Sequence, residues 1–188
     1  KAAHESSKST EVWTLVLVIS LLLVIYRSPI LALIPLVTVF VSVKISLATL
    51  AFLAEAGFIR LFSGIEVYVS ILSYGAGVDY CLFLIARYRE ELGDGAELKN
   101  GVSDALRKVG AALTASAGTV MAGIGMLYFA DFGKFSQAGI AITLGLAIVL
   151  CATLTLTPSL LRLAGRWAFW PNIGQGELAG PVLEVFRA

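Results

Sequence analysis

Five long stretches of this chain carry almost no charge: 12–26, 30–53, 65–86, 109–130 and 135–164. A helix needs about 20 apolar residues to cross the roughly 30 Å hydrocarbon core of a bilayer, and four of the five stretches reach that length. The first reaches it only if its helix begins within "STEVW", where Ser9 or Thr10 can cap the first turn and Glu11 can sit in it. A soluble domain carries roughly a quarter charged residues. Here 14% of the 188 residues are charged and 58% are hydrophobic, too few charges to cover a water-facing surface. Closed β-barrels need alternating polar positions, and these stretches do not alternate. The pattern predicts an all-α membrane protein, a bundle of five transmembrane helices.

The residues between the stretches agree. "YRSPI" is a tight connection with Pro29 near the start of the second helix, where a missing N–H costs least. Pro35 lies farther in and predicts a slight bend, and Pro158 predicts a kink that frees the carbonyl of Leu154. In the polar stretch "EELGDGAELKNGVSDALRKVG", Val102, Ala105, Leu106 and Val109 recur at helical spacing. They predict a short amphipathic helix lying on the cytoplasmic membrane surface before the chain crosses again.

Lysine and arginine set the expected orientation. One side holds Arg27, Arg87, Arg89, Lys99, Arg107, Lys108, Arg162 and Arg166; the other holds Lys1, Lys8, Arg60 and Lys134. The richer side is expected in the cytoplasm, with the N-terminal side external in an inner (plasma) membrane. Trp13, Tyr128, Phe129 and Phe132 would mark the outer interface, and Tyr26, Tyr88, Trp167 and Trp170 the inner one. Arg87 and Arg89 read as cytoplasmic interface anchors within a solvated charged face. Residues 1–10 read as the end of an external region, 11–170 as the membrane domain, and 171–188 as a cytoplasmic tail or linker. A chain starting at Lys1 without methionine or signal peptide reads as a fragment.

Several functions find no support. A net charge of +1 argues against a nucleic-acid partner. Cys81 and Cys151 lie in apolar runs and read as small core residues, and His4 has no companion ligands, so no metal or other cofactor is expected. "GKF" at 133–135 lacks the earlier glycine and the following Ser/Thr of a phosphate loop. No nucleophile–base pair marks an enzyme.

Small residues recur every four positions at Ala111, Ala115, Thr119 and Gly123, and again at Gly139, Thr143, Ala147, Cys151, Thr155 and Ser159. Such stripes let helix backbones approach, and close packing drives association where lipid is as apolar as leucine; generic bundle packing is the expectation, with a substrate-lining or sliding surface as the alternative.

The residue that breaks the pattern is Asp79. It lies about seven residues, roughly 10 Å, from the cytoplasmic end of its helix. A charged Asp near mid-membrane costs on the order of 2.5–3.5 kcal/mol even on lenient insertion scales. Such a group must meet protein or water, and an acid pushed toward neutrality is suited to taking up and releasing protons. Gly75 lies one turn earlier on the same face, leaving room for a close approach, and Tyr80 lies about 100° further round.

"GAGVDYCLFLIARYREEL" resembles the fourth transmembrane helix of the MMPL branch of RND transporters. The matching positions are Gly75, Asp79, Tyr80, Phe83, Leu84, Arg87, Arg89, Glu90 and Glu91. "YRSPILALIPL" and "AGIAITLGLAIVLCATLTLTPSLLRLAG" resemble that family's helix two–three link and its helix six. The resemblance covers about residues 11–170, helices two to six of one half-transporter. It implies proton-driven export of lipids or other hydrophobic compounds. Asp79 and Tyr80 would form a proton relay with an equivalent pair on helix ten, which this chain lacks. Its partners would then be membrane lipid, a hydrophobic substrate and a second transporter half, on the same chain or a partner subunit. Ser116 and Thr119 on the next helix are candidate supports for the relay.

Lys44 is a candidate intramembrane charge that the family pattern does not require. It is expected some 10 Å outside the level of Asp79. Snorkelling to the outer interface, lining a wet vestibule, and coupling to Asp79 remain open. The alternative function is a non-transporting lipid- or sterol-sensing module, since sterol-sensing domains comprise the same five helices. A titratable group at the depth of Asp79 favours the transporter.

Overall fold

The computed structural model describes residues 29–93 and 98–165, together with Trp13, Val16, Leu17 and Ser20, which are helical. The remainder of the 12–26 stretch and its cap, residues 1–10, the turn at 27–28, Trp167, Trp170 and the tail 171–188 lie outside the described residues. Four helices follow in order: α1 (Pro29–Glu55), α2 (Ile65–Gly93), α3 (Leu98–Gly125) and α4 (Gly133–Ala164), with a 3-10 turn at Met126–Phe129 before α4. All four are long and apolar enough to cross a membrane.

The end of α1 is built by its sequence. The N–H of Gly57 bonds to the carbonyl of Ala54, and that of Phe58 to the carbonyl of Leu53. This is a Schellman cap, and it needs the left-handed backbone that Gly57 adopts at φ 78°. Leu50, Ile65 and Val69 then pack together near the resulting bend.

α2 and α4 run parallel in fixed register. A Cβ on Gly145 would meet Val69 Cγ1 and Ser73 Oγ, and one on Gly77 would lie 2.8 Å from both Val149 Cγ1 and Val39 Cγ2. α1, α2 and α4 thus converge on the missing side chain of Gly77. A Cβ on Gly139 would lie 2.9 Å from Leu127 Cβ and 3.1 Å from the Ile124 carbonyl oxygen, so this glycine lets α4 fold back against the 3-10 turn.

The interior holds many of the hydroxyls. Thr38, Ser42, Ser46, Ser70, Ser73, Thr153 and Thr157 are buried, whereas Leu33, Phe40, Phe52, Phe83 and Leu163 face outward. In lipid an apolar side chain gains little from burial, but a hydroxyl needs a partner. Thr157 Oγ1 donates to Thr38 Oγ1 at 3.3 Å, and the same hydroxyl lies 3.3 Å from Cys81 Sγ. One small polar cluster therefore joins α1, α2 and α4.

Two expectations are corrected. The stretch expected to lie flat on the membrane is the opening of α3, continuous with the following crossing. Val102 and Ala105 are buried with Leu84 and Tyr88 of α2, so protein rather than lipid satisfies that apolar stripe. Gly110 does not stop the helix, since one interior glycine costs only about 1 kcal/mol. Tyr88, expected at the interface, is fully buried in that same contact.

The small-residue stripes also fail as continuous contact faces. Ala111, Ala115, Thr119 and Gly123 are all exposed, and in α4 the stripe passes from buried Gly139 to exposed Cys151, Thr155 and Ser159. A strict four-residue repeat advances about 40° per step on a 3.6-residue helix, so it wraps around the surface. The small residues that α3 buries are instead Gly101, Ala105 and Ala117. Cys81 is buried as expected, but Cys151 is exposed.

Candidate intramembrane proton site

One face of α2 meets no described helix. Tyr68, Leu72, Gly75, Asp79, Phe83 and Ala86 are all exposed, and on a 3.6-residue helix they fall within about 40° of Asp79. The opposite face carries Ser73, Gly77, Leu84, Tyr88 and Glu91, all buried. Asp79 therefore stands at the centre of the outward face of α2. Gly75 adjoins it with nothing within 4 Å of an added Cβ, so this face is open among the described residues.

Tyr80 turns the other way. It is 8% exposed and packs with Leu113 and Ala117 of α3 and with Val149 and Leu150 of α4. The adjacent pair is thus split: the phenol is embedded among the described helices while the carboxyl faces out. Ser116 and Thr119 are both exposed on α3. The Thr119 hydroxyl donates to the Ala115 carbonyl at 3.0 Å. Among the described residues no hydrogen bond joins Asp79 to either of them.

Lys44 lies at the middle of an outward face of α1, with Leu33, Val37, Phe40 and Ala48 also exposed. Its ammonium sits 5.5 Å from the centroid of the Phe40 ring, within cation–π range. Val39 and Gly77 share one level. Lys44 lies five residues beyond Val39 and Asp79 two residues the other way, so the charges are separated by about 10 Å along the bundle.

At the arginine-rich end of α2, Arg87 pairs with Glu90 and Glu91, and Glu91 pairs with Lys108 of α3. Arg89 is half-buried. Within this region, expected to be a solvated charged face, Glu91 is only 6% exposed. The signal was present: Glu91 follows Ser73 by eighteen residues, five full turns, and so repeats the buried side of α2.

This geometry offers a carboxyl that protons can reach only from whatever covers the outward face of α2. Hydrocarbon can neither solvate it nor bond it, so the face is complete only against water or another polar protein surface.

The profile of the MMPL family matches residues 1–182. The chain belongs to the MMPL family. Among curated relatives, this MMPL chain is 40% identical over 160 residues to the "Apo-petrobactin exporter" of Bacillus anthracis, a match covering 85% of the chain and 22% of that protein. It is 37% identical over 158 residues to "Putative membrane protein ActII-3" of Streptomyces coelicolor, covering 84% of the chain and 22% of the relative. It is 36% identical over 156 residues to "Probable transport protein MmpL12" of Mycobacterium tuberculosis, covering 83% and 14% respectively. The MMPL chain therefore spans about a fifth or less of the length of these relatives, and it is an all-α, multi-pass membrane protein.

Proposed function

We propose that this chain is part of a proton-motive-force-driven exporter of lipids or other hydrophobic compounds and carries one half of its intramembrane proton relay, Asp79 with Tyr80. The observation that carries this reading is the place of Asp79. It stands at the centre of the one face of α2 that no described helix covers, beside Gly75. An ionised aspartate left against hydrocarbon there costs about 2.5–3.5 kcal/mol. A facing transporter half with a matching acid removes that cost by sharing protons and hydrogen bonds across the gap.

In this reading the arginine-rich ends of α2 and α4 lie in the cytoplasm, and Asp79 loads from the external side and unloads to the cytoplasmic side. One charge moving through 100 mV supplies about 2.3 kcal/mol, enough to bias two packings of the helices. Tyr80, fixed between α3 and α4, holds the neighbouring backbone still while Asp79 changes charge. The relatives' names, which speak of export and transport, agree with the reading. In the complete transporter, Asp79→Asn is expected to abolish export while leaving the protein in the membrane at its usual level. Undiminished export that still follows the pH gradient would refute the proposal.

A further inference from the structure

Twelve residues beyond Asp79, α2 ends in an ion cluster that the relay does not use. Glu91 accepts from Lys108 Nζ through both oxygens, at 2.7 and 2.9 Å, and its carboxylate lies 2.7 Å from Arg87 Nη2. One cation comes from its own helix and the other from α3. At the same level Gly101 of α3 meets α2, where a Cβ would stand 3.3 Å from Tyr88 Cε2 and Leu92 Cδ2. Arg162 of α4 donates to Ser103 of α3 at 2.6 Å, so this end of α3 is tied to both neighbours.

These contacts do different things. The contact of Tyr88 with Gly101 fixes how near α2 and α3 lie. The two-oxygen grip of Glu91 on Lys108 adds a direction, because rotation of α2 breaks that grip and leaves Glu91 with Arg87 of its own helix alone. On α2, Glu91 lies about 18 Å along the axis from Asp79 and about 120° round it. We propose that the Glu91–Lys108 pair sets the rotation of α2, and thereby the direction in which Asp79 faces. Glu91 and Lys108 are then positioning residues for the proton-exchange step. Side chains reach about 5–6 Å from a helix axis, so a turn of about 30° carries the Asp79 carboxyl roughly 3 Å. That displacement separates a hydrogen-bonded acid from one without a partner.

The functional meaning of this inference rests on the relay proposed above; its geometry does not, and the test keeps the two apart. The complete transporter in membranes is treated with dicyclohexylcarbodiimide, and modification of the Asp79 peptide is followed by mass spectrometry. Glu91→Gln and Lys108→Met are expected to change the rate of Asp79 modification several-fold and to lower export, while Lys108→Arg keeps both near the unsubstituted level. If Glu91→Gln does not reach the membrane, Lys108→Met serves alone, its side chain being 52% exposed. Unchanged modification of Asp79 in the charge-removing variants overturns the proposal, as does a Lys108→Arg protein that behaves like Lys108→Met. Normal export by Asp79→Asn would instead remove the relay and leave the labelling comparison to decide the positioning role.

Discussion

Gly75 and Gly77 lie two residues apart on α2, and the structure gives them opposite duties. An added Cβ at Gly77 would stand 2.8 Å from Val39 Cγ2 and from Val149 Cγ1, whereas at Gly75 it would meet nothing within 4 Å. Val39 and Val149 are at most 1% exposed, and a β-branched side chain on a helix has one strongly preferred rotamer. Neither valine can swing aside, so Gly77→Ala must push α1 or α4 outward. Overpacking of this kind costs about 1–3 kcal/mol. Gly75→Ala relieves helix propensity instead and stays within about 0.5 kcal/mol of the starting stability or gains slightly. The assay is thermal unfolding of both variants, purified in detergent, beside the unsubstituted transporter. Gly77→Ala is expected to melt measurably lower and Gly75→Ala at an unchanged temperature, the shift per kcal/mol shrinking as chain length grows. Export should show a second contrast: Gly75→Ala, though stable, impairs it by filling the space beside Asp79. A Gly77→Ala protein as stable as the parent, or a Gly75→Ala protein as unstable as Gly77→Ala, would refute the packing described for α2.

Other consequences are open to measurement. Thr157→Val removes the hydroxyl that joins Cys81 and Thr38, and it should lower stability by about 0.6 kcal/mol, the average for an intramembrane hydrogen bond, and by at most about 1.7 kcal/mol per bond; a neutral result in the same unfolding assay would count against the cluster. Cys81, fully buried between α2 and α4, should resist a membrane-permeant maleimide in the folded protein, and rapid modification seen by mass spectrometry would contradict that packing. In the complete transporter, Asp79→Glu should retain part of the export that Asp79→Asn loses, because it keeps a titratable carboxyl; equal loss in both would argue that shape, not proton exchange, is what the position requires.

The residues that announced themselves in the sequence were those whose chemistry clashes with a membrane. Asp79 and Gly75 share a face by simple helical spacing, and both prove exposed on it. The roughly 10 Å offset of Lys44 followed from counting residues along two antiparallel helices. What could not be read was which neighbour each face meets. Hydrophobic periodicity carries little information inside a bilayer, because lipid and protein interior are equally apolar. The small-residue stripes therefore pointed at contacts that the drift of a four-residue repeat undoes. Val102 and Ala105 looked like a lipid-facing stripe, since nothing local shows that Tyr88 lies opposite. Glu91 was hidden by its company: in a run of mixed charges, only its alignment with Ser73 five turns back separates a buried acid from a solvated one.

The most direct test of the account is infrared difference spectroscopy of the complete transporter in membranes, following the protonated-carboxyl band that disappears in Asp79→Asn. This band is expected to rise and fall as a proton gradient is imposed and collapsed, in step with export. A band that stays constant while gradient-driven export proceeds undiminished would contradict the relay.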